Sequence, residues 1–178
     1  MTDSIDVLKY IKSQLPSVTK TKALKLLYYA QAWSLVWDGR RLFPEDVRAW
    51  QYGPVEPNAF VHFDGTSANA DAVPKRTKEV TDAVLQYYGS RSAKELTAMT
   101  HSERPWSDAY EGPDGGHAKG NLISESAMTR EYTEQSLRGG GPRKPGACAV
   151  DARAADVDRL LNRARANWRE TLDILANR

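Results

Sequence analysis

The chain has 178 residues, of which 40% are hydrophobic and 27% are charged. This composition is typical of a folded globular protein and excludes a disordered one. The formal net charge is +2, but residues 138–178 hold nine basic and five acidic side chains. The C-terminal part of the chain is therefore expected to meet an acidic partner, either a protein or a nucleic acid.

Targeting and redox features indicate a cytoplasmic protein without membrane contact. The only cysteine, Cys148, excludes an intramolecular disulfide and fits a reducing compartment. The N-terminal residues 1–6 are acidic, where a signal peptide would be basic. The longest apolar run, Leu26–Trp37, is too short to cross a bilayer, which requires about 20 apolar residues.

The first predicted elements are two helices. Asp3 or Ser4 caps a short helix that ends before Pro16. The second helix, residues 19–38, carries aliphatic and aromatic side chains on almost every side: Leu24, Leu26, Leu27, Tyr28, Tyr29, Trp33, Leu35, Val36 and Trp37. A helix of this kind is enclosed by other elements, so we expect it to be the buried centre of the fold. Gln31, the amide within this run, is expected to hydrogen-bond to backbone groups.

Short strands and further helices follow. Val47–Tyr52 has the β-branched and aromatic residues of a strand, bounded by Gly53 and Pro54, and Leu122–Ile123 is expected to pair with it. Five further helices are predicted at residues 58–63, 75–88, 93–101, 105–110 and 125–137. The expected fold class is mainly α: a compact helical bundle around a central buried helix, with a small two-stranded β element and a C-terminal helix.

Three segments are predicted from changes in composition. Residues 1–137 form the helical domain, residues 138–150 form a linker rich in glycine and proline, and residues 151–178 form an amphipathic helix. The apolar residues of that helix alternate at spacings of three and four: Val157, Leu161, Ala164, Trp168, Leu172 and Leu175. Such a narrow seam indicates packing against a partner helix, a groove or a second copy of the chain.

Catalytic and metal-binding patterns are weak. The sequence has no cysteine–histidine cluster with zinc spacing. His101 and Glu103 could act as a base and its partner beside Ser102. The alternative is that His101 interacts favourably with the C-terminal end of its helix. No cofactor is expected.

Basic residues leave a nucleic-acid interpretation open. Lys20, Lys22 and Lys25 lie near the start of the central helix, and such clusters contact phosphates. The sequence shows no recognition helix after a short turn, which a helix-turn-helix protein would require. The alternative is a solvated basic face.

Three separated motifs identify a family resemblance. They are Lys22-Ala-Leu-Lys-Leu-Leu-Tyr-Tyr-Ala-Gln-Ala-Trp33, then Leu42-Phe43 with Ala49-Trp50-Gln-Tyr-Gly-Pro-Val55, and then Thr100-His101-Ser-Glu-Arg-Pro-Trp106 after Leu96. In order and spacing they resemble the Panacea domain of SocA-like and phage-associated GepA-like antitoxins. The resemblance covers about residues 5–135.

The resemblance implies a helical domain without a catalytic residue or cofactor. It implies an antitoxin that neutralises a co-encoded toxin by direct binding, with a role in phage defence. The alternatives are a DNA-binding autoregulator of its operon and an adaptor that delivers the toxin to a protease. The motif residues are expected to define the fold: Leu27, Tyr28, Trp33, Trp50, Gly53, Pro54, His101 and Trp106.

The surface that binds the partner is therefore expected outside the motifs. Our hypothesis places it on the C-terminal helix, at Val157, Leu161, Arg163, Trp168, Leu172 and Leu175. Tryptophan and arginine dominate the energetics of many interfaces, so Trp168 and Arg163 are the expected anchors. The alternative is that this helix packs on the rest of the chain.

Overall fold

The computed structural model describes residues 2–110 and 120–146. These residues form seven helices and a two-stranded sheet, which confirms the mainly α fold class. In chain order the elements are α1 (Ser4–Gln14), α2 (Lys20–Asp38), β1 (Arg48–Trp50), β2 (Gly53–Val55), α3 (Pro57–His62), α4 (Lys75–Tyr88), α5 (Ala93–Ser102), α6 (Arg104–Ala109) and α7 (Glu125–Leu137).

Local capping sets several of the helix ends. The Asp3 side chain accepts a hydrogen bond from the Asp6 amide at the start of α1. Ser92 and Glu95 form a reciprocal capping box at the start of α5. Gly39 ends α2 with a φ of 64°, a left-handed conformation that glycine adopts at little cost. These ends lie within one or two residues of the predicted ones.

Helix α2 is the buried centre of the domain. It packs against α1, α3, α4, α5, α7 and β2, and every residue from Ala23 to Leu35 is buried. Its aromatic side chains stack on those of the surrounding helices, with the Tyr29 and Tyr88 rings 4.0 Å apart and nearly parallel. Each aromatic ring of this kind removes about 150–250 Å² from water, so this helix organises most of the core.

Gln31 joins α2 to the loop that follows it. Its amide nitrogen donates to the Phe43 carbonyl at 3.0 Å, and its oxygen accepts from the amides of Leu42 at 2.8 Å and Phe43 at 3.1 Å. The prediction that backbone groups satisfy this buried amide is confirmed.

The sheet differs from the prediction in its second strand. Strand β1 pairs with β2 in antiparallel register, with Trp50 opposite Gly53 and Arg48 opposite Val55. The predicted pairing of Leu122–Ile123 with β1 is present as an isolated bridge between Leu122 and Arg48, with hydrogen bonds from the Ala49 amide to Asn121 and from the Ile123 amide to Val47. Gly53 and Pro54 therefore begin the returning strand instead of bounding the first. Gly53 permits this with a φ of 97°, and Pro54 is tolerated because β2 is an edge strand.

The chain beyond α7 packs against the domain as far as Pro145. The amides of Gly139 and Gly140 donate to the carbonyls of Ser136 and Gln135, the paired bonds that end a helix in a Schellman motif. Pro142 is buried. The chain divides into two units after Pro145. The predicted helix at 151–178 and the linker residues 147–150 lie outside the described residues, so the predicted division into domain, linker and helix stays a prediction.

Candidate functional site

The second and third sequence motifs meet around a buried lysine. Lys25, on α2, is 1% exposed, and its Nζ donates to the Pro54 carbonyl at 3.0 Å. Burial lowers the pKa of Lys25 to about 7. A Cβ on Gly53 would lie 2.7 Å from Lys25 Cε and 2.9 Å from Thr100 Oγ1. Gly53 therefore allows the hairpin of β1 and β2 to approach this lysine.

A stack of three rings lies beside that lysine. The His101 ring lies 3.9 Å from the Trp106 ring, which lies 4.6 Å from the Tyr110 ring, all nearly parallel. Trp106 Nε1 donates to the Trp50 carbonyl at 2.9 Å and so joins α6 to the hairpin. His101 Nε2 has no hydrogen-bond partner among the described residues. Burial and the Lys25 charge lower the pKa of His101.

Glu103 occupies a separate cluster of tyrosines, which we call the tyrosine cluster: Glu103 with Tyr28, Tyr29 and Tyr132. The Glu103 carboxylate accepts hydrogen bonds from the Tyr132 hydroxyl at 2.7 Å and from the Tyr29 hydroxyl at 3.2 Å. The Tyr28 hydroxyl lies 3.0 Å from the Tyr132 hydroxyl. The three tyrosines and Glu103 are buried. Burial raises the pKa of Glu103 to about 7, against the lowering effect of these hydrogen bonds.

The histidine and glutamate proposed as a catalytic pair therefore contact different groups. His101 packs on Trp106, whereas Glu103 faces the tyrosine cluster, and Ser102 Oγ donates to the Met99 carbonyl at 2.7 Å. The described residues show no hydrogen bond between His101 and Glu103. The structure does not bring these residues together as a base and its partner.

The three lysines considered for phosphate binding do not form one exposed cluster. Lys25 is buried, and Lys22 Nζ donates to the Gly89 carbonyl at 2.6 Å. Lys20 pairs with Asp64 at 3.1 Å and lies over the Phe60 ring. Only Lys20 and Lys22 of the three are therefore partly exposed, and Lys20 is already paired with a carboxylate.

The remaining motif residues also make contacts within the domain. Leu27 is fully buried, and Trp33 Nε1 donates to the Tyr88 hydroxyl at 3.2 Å. The Trp50 ring packs edge to face with Phe60 at 5.0 Å.

The proposed partner-binding residues on the C-terminal segment all lie outside the described residues. They are Val157, Leu161, Arg163, Trp168, Leu172 and Leu175. Their role stays a hypothesis that rests on the sequence pattern.

Sequence reasoning missed the packing of residues 139–145, which we call the strap. Gly141 lies so close to Trp33 that a Cβ on it would be 2.2 Å from the ring atom Cζ2. Lys144 Nζ donates to the Trp37 carbonyl at 2.6 Å, and Arg76 donates to the Pro145 carbonyl at 3.3 Å. The glycines and prolines gave only a linker signal. Lys144 was the one further signal, because a lysine side chain interacts favourably with the C-terminal end of a helix.

Neither a metal-binding cluster nor a membrane-spanning helix is found among the described residues. No group of three or more histidine, cysteine, aspartate or glutamate side chains there could hold a metal ion. No helix among them has the length and apolar character that a bilayer crossing demands.

Comparison with known proteins gives one match. The family model described as "Antitoxin SocA-like, Panacea domain" matches residues 24–107, a range that contains the second and third motifs and all of the first except Lys22 and Ala23. The resemblance seen in the sequence is thereby confirmed. Neither a curated protein nor a solved structure gives a significant match.

Proposed function

We propose that this chain, which carries an antitoxin SocA-like Panacea domain over residues 24–107, is the antitoxin of a toxin–antitoxin pair. It neutralises the toxin encoded beside it by binding that toxin directly, and it performs no reaction of its own. The family match is the observation that carries this proposal.

The internal contacts of the motif residues support a binding role. Lys25, Glu103 and Trp106 each bond to another part of the domain. Side chains that bond within the domain in this way stabilise its fold. We therefore expect the surface that binds the partner to lie outside the motifs. Residues 147–178 lie outside the match and carry a predicted amphipathic helix, which suits recognition in a groove of the toxin.

The proposed interface has an apolar seam and basic flanks. Leu161, Trp168 and Leu172 would enter the groove, with Val157 and Leu175 at its ends. Five residues of α-helix turn about 140°, so Arg163 would point away from Trp168 in the predicted helix and would act through long-range attraction to acidic groups of the toxin, which adds to association rate and specificity. A bound helix would block or distort the toxin's own site.

Co-expression tests the proposal in cells. The product of the adjacent open reading frame is expressed alone and together with this chain, and growth is measured. We expect the product to be toxic alone and harmless with the full chain. Deletion of residues 147–178, which leaves the strap in place, should abolish the rescue.

A matched pair of substitutions separates loss of the seam from a general effect of charge. Leu172→Asp places a carboxylate on the seam, whereas Ala166→Asp places it on the opposite face of the predicted helix. We expect the first to lose the rescue and the second to keep it. Equal rescue by both variants and by the deletion would assign toxin binding to another surface.

A further inference from the structure

A groove of about 410 Å³ lies between the second half of α4 and the strap. Gln86 and Tyr87 line it from α4, and Gly139, Gly141 and Arg143 line it from the strap. Binding sites in proteins commonly have volumes of about 300–1,000 Å³. The groove therefore has room for a side chain or a short segment of a partner.

The strap side of the groove is fixed to the domain. The Gly140 amide donates to the Gln135 carbonyl at 2.8 Å, and Lys144 Nζ donates to the Trp37 carbonyl at 2.6 Å. Gly141 lies directly against the buried ring of Trp33. A wall that is already held in place loses little conformational freedom when a partner binds to it.

Arg143 is a cation that the fold does not use. Its side chain is exposed and forms no hydrogen bond or ion pair with any described residue. By contrast, Arg76 pairs with Asp38 at 2.7 Å, and Arg138 pairs with Glu134 at 3.6 Å. A guanidinium presents a planar fork of donors that matches a carboxylate. The Arg143 side chain is therefore available to a negative group of a partner.

The charge around the groove is positive. Residues 138–146 include three basic residues and no acidic one, and the residues that line the groove include one cation and no anion. On α4, Glu79 pairs with Arg76 at 3.0 Å, and Asp82 accepts a hydrogen bond from the Tyr10 hydroxyl. The groove therefore complements an acidic group and disfavours a basic one.

Tyr87 adds an aromatic surface beside that charge. Its side chain is 37% exposed, and the Arg91 guanidinium lies 4.7 Å from the centre of its ring. Tyrosine and arginine are among the residues that contribute most to binding energy in protein interfaces. This composition is typical of a surface that binds another protein.

We propose that the groove between α4 and the strap binds an acidic side chain of the toxin, with Arg143 as its anchor. The inference rests on the proposed function, because it takes the toxin as the partner. It gives the toxin a contact on the described domain itself. A nucleic acid fits less well, since phosphate binding requires several cations and the groove lining offers one guanidinium.

The test compares Arg143→Gln with Arg138→Gln. Both variants remove one positive charge from the same stretch of chain, so both reduce the long-range attraction to an acidic toxin by a similar amount. Only Arg143 lines the groove. Because Arg143 bonds to nothing in the described part of the chain, Arg143→Gln should leave the urea midpoint of the domain unchanged.

Isothermal titration calorimetry with the purified product of the adjacent open reading frame reads out the contact. Arg143→Gln should weaken the affinity about tenfold, the effect of losing one charge-assisted hydrogen bond, whereas Arg138→Gln should change it less than about twofold. The difference should shrink as sodium chloride rises from about 0.05 to about 0.5 M, because salt screens exposed charges.

The other outcomes separate the groove from the proposed function. If the unaltered chain binds the product and both variants bind it equally well, the groove assignment is wrong and the proposed function stands. If the unaltered chain does not bind the product, the proposed function fails, and the assignment of the groove to the toxin fails with it. If Arg143→Gln weakens only the binding of a promoter DNA duplex, or only self-association of the chain, the groove serves that partner and the proposal is overturned.

Discussion

Glu103 is a buried acid whose partners in the described residues are hydroxyls and an amide. Tyr29, Tyr132 and Gln135 donate to it, and no lysine or arginine there forms an ion pair with it. A carboxylate in this position must give up its hydration, and that loss outweighs the three hydrogen bonds. The result is a pKa of about 7 in place of 4.5.

This raised pKa makes the stability of the domain depend on pH. The folded state holds the Glu103 proton more tightly than the unfolded state, so its contribution is fully present below pH 4.5 and is lost as pH rises through about 7. We expect the free energy of unfolding of the native chain to fall by up to about 3 kcal/mol, relative to Glu103→Gln, between pH 4.5 and 8. Urea unfolding of both proteins across this range checks it, and parallel curves would contradict it.

Gly53 is expected to be less replaceable than Gly39. Both have positive φ, 97° and 64°, so alanine at either costs about 1 kcal/mol. Alanine at 53 also meets Lys25 and Thr100, whereas alanine at 39 meets nothing within 4 Å. We predict that Gly53→Ala loses about 1–3 kcal/mol more in the free energy of unfolding, the range for overpacked cores. Equal losses would show that the lysine moves aside freely.

Gln31 connects α2 to the loop before the hairpin. Replacing it by leucine leaves three buried backbone groups of Leu42 and Phe43 without this partner, each worth about 1–3 kcal/mol. Ser34→Ala removes a single bond, from the Ser34 hydroxyl to the Arg40 carbonyl.

We therefore predict that the free energy of unfolding falls by at least about 3 kcal/mol in Gln31→Leu and by about 1 kcal/mol in Ser34→Ala. Thermal or urea unfolding measures both. Similar values would mean that the loop finds other partners when the amide is removed.

The helices could be predicted because their signals are local. Asp3, Ser92 and Ser124 cap helices through bonds to residues three positions away, and Gly39 follows the last residue of α2 with a left-handed φ of 64°. The enclosed position of α2 followed from its apolar residues on all sides. Such features need no knowledge of distant contacts.

The hairpin, the tyrosine cluster and the strap could not be predicted because they depend on distant contacts. Glu103 and Tyr132 are 29 positions apart, and Lys144 and Trp37 are 107 apart. Gly53 and Pro54 are strong turn signals, yet here they begin β2. The Pro54 carbonyl accepts a hydrogen bond from Lys25. Nothing local distinguishes Gly141, which packs on Trp33, from Gly139, which faces open space.

The chain divides into two units after Pro145. The first unit buries the motif residues from Ala23 to Trp33 in its own core, and its family match supports an antitoxin. The sequence beyond it supplies the amphipathic pattern that a partner could recognise. The proposed function therefore requires a physical complex between this chain and a toxin.

The most direct measurement is size-exclusion chromatography of the purified chain mixed with the purified product of the adjacent open reading frame. We predict that the two proteins elute as one complex, that Leu172→Asp abolishes the complex and that Ala166→Asp preserves it. Cells rescued from the toxin although the purified proteins elute separately would contradict direct binding.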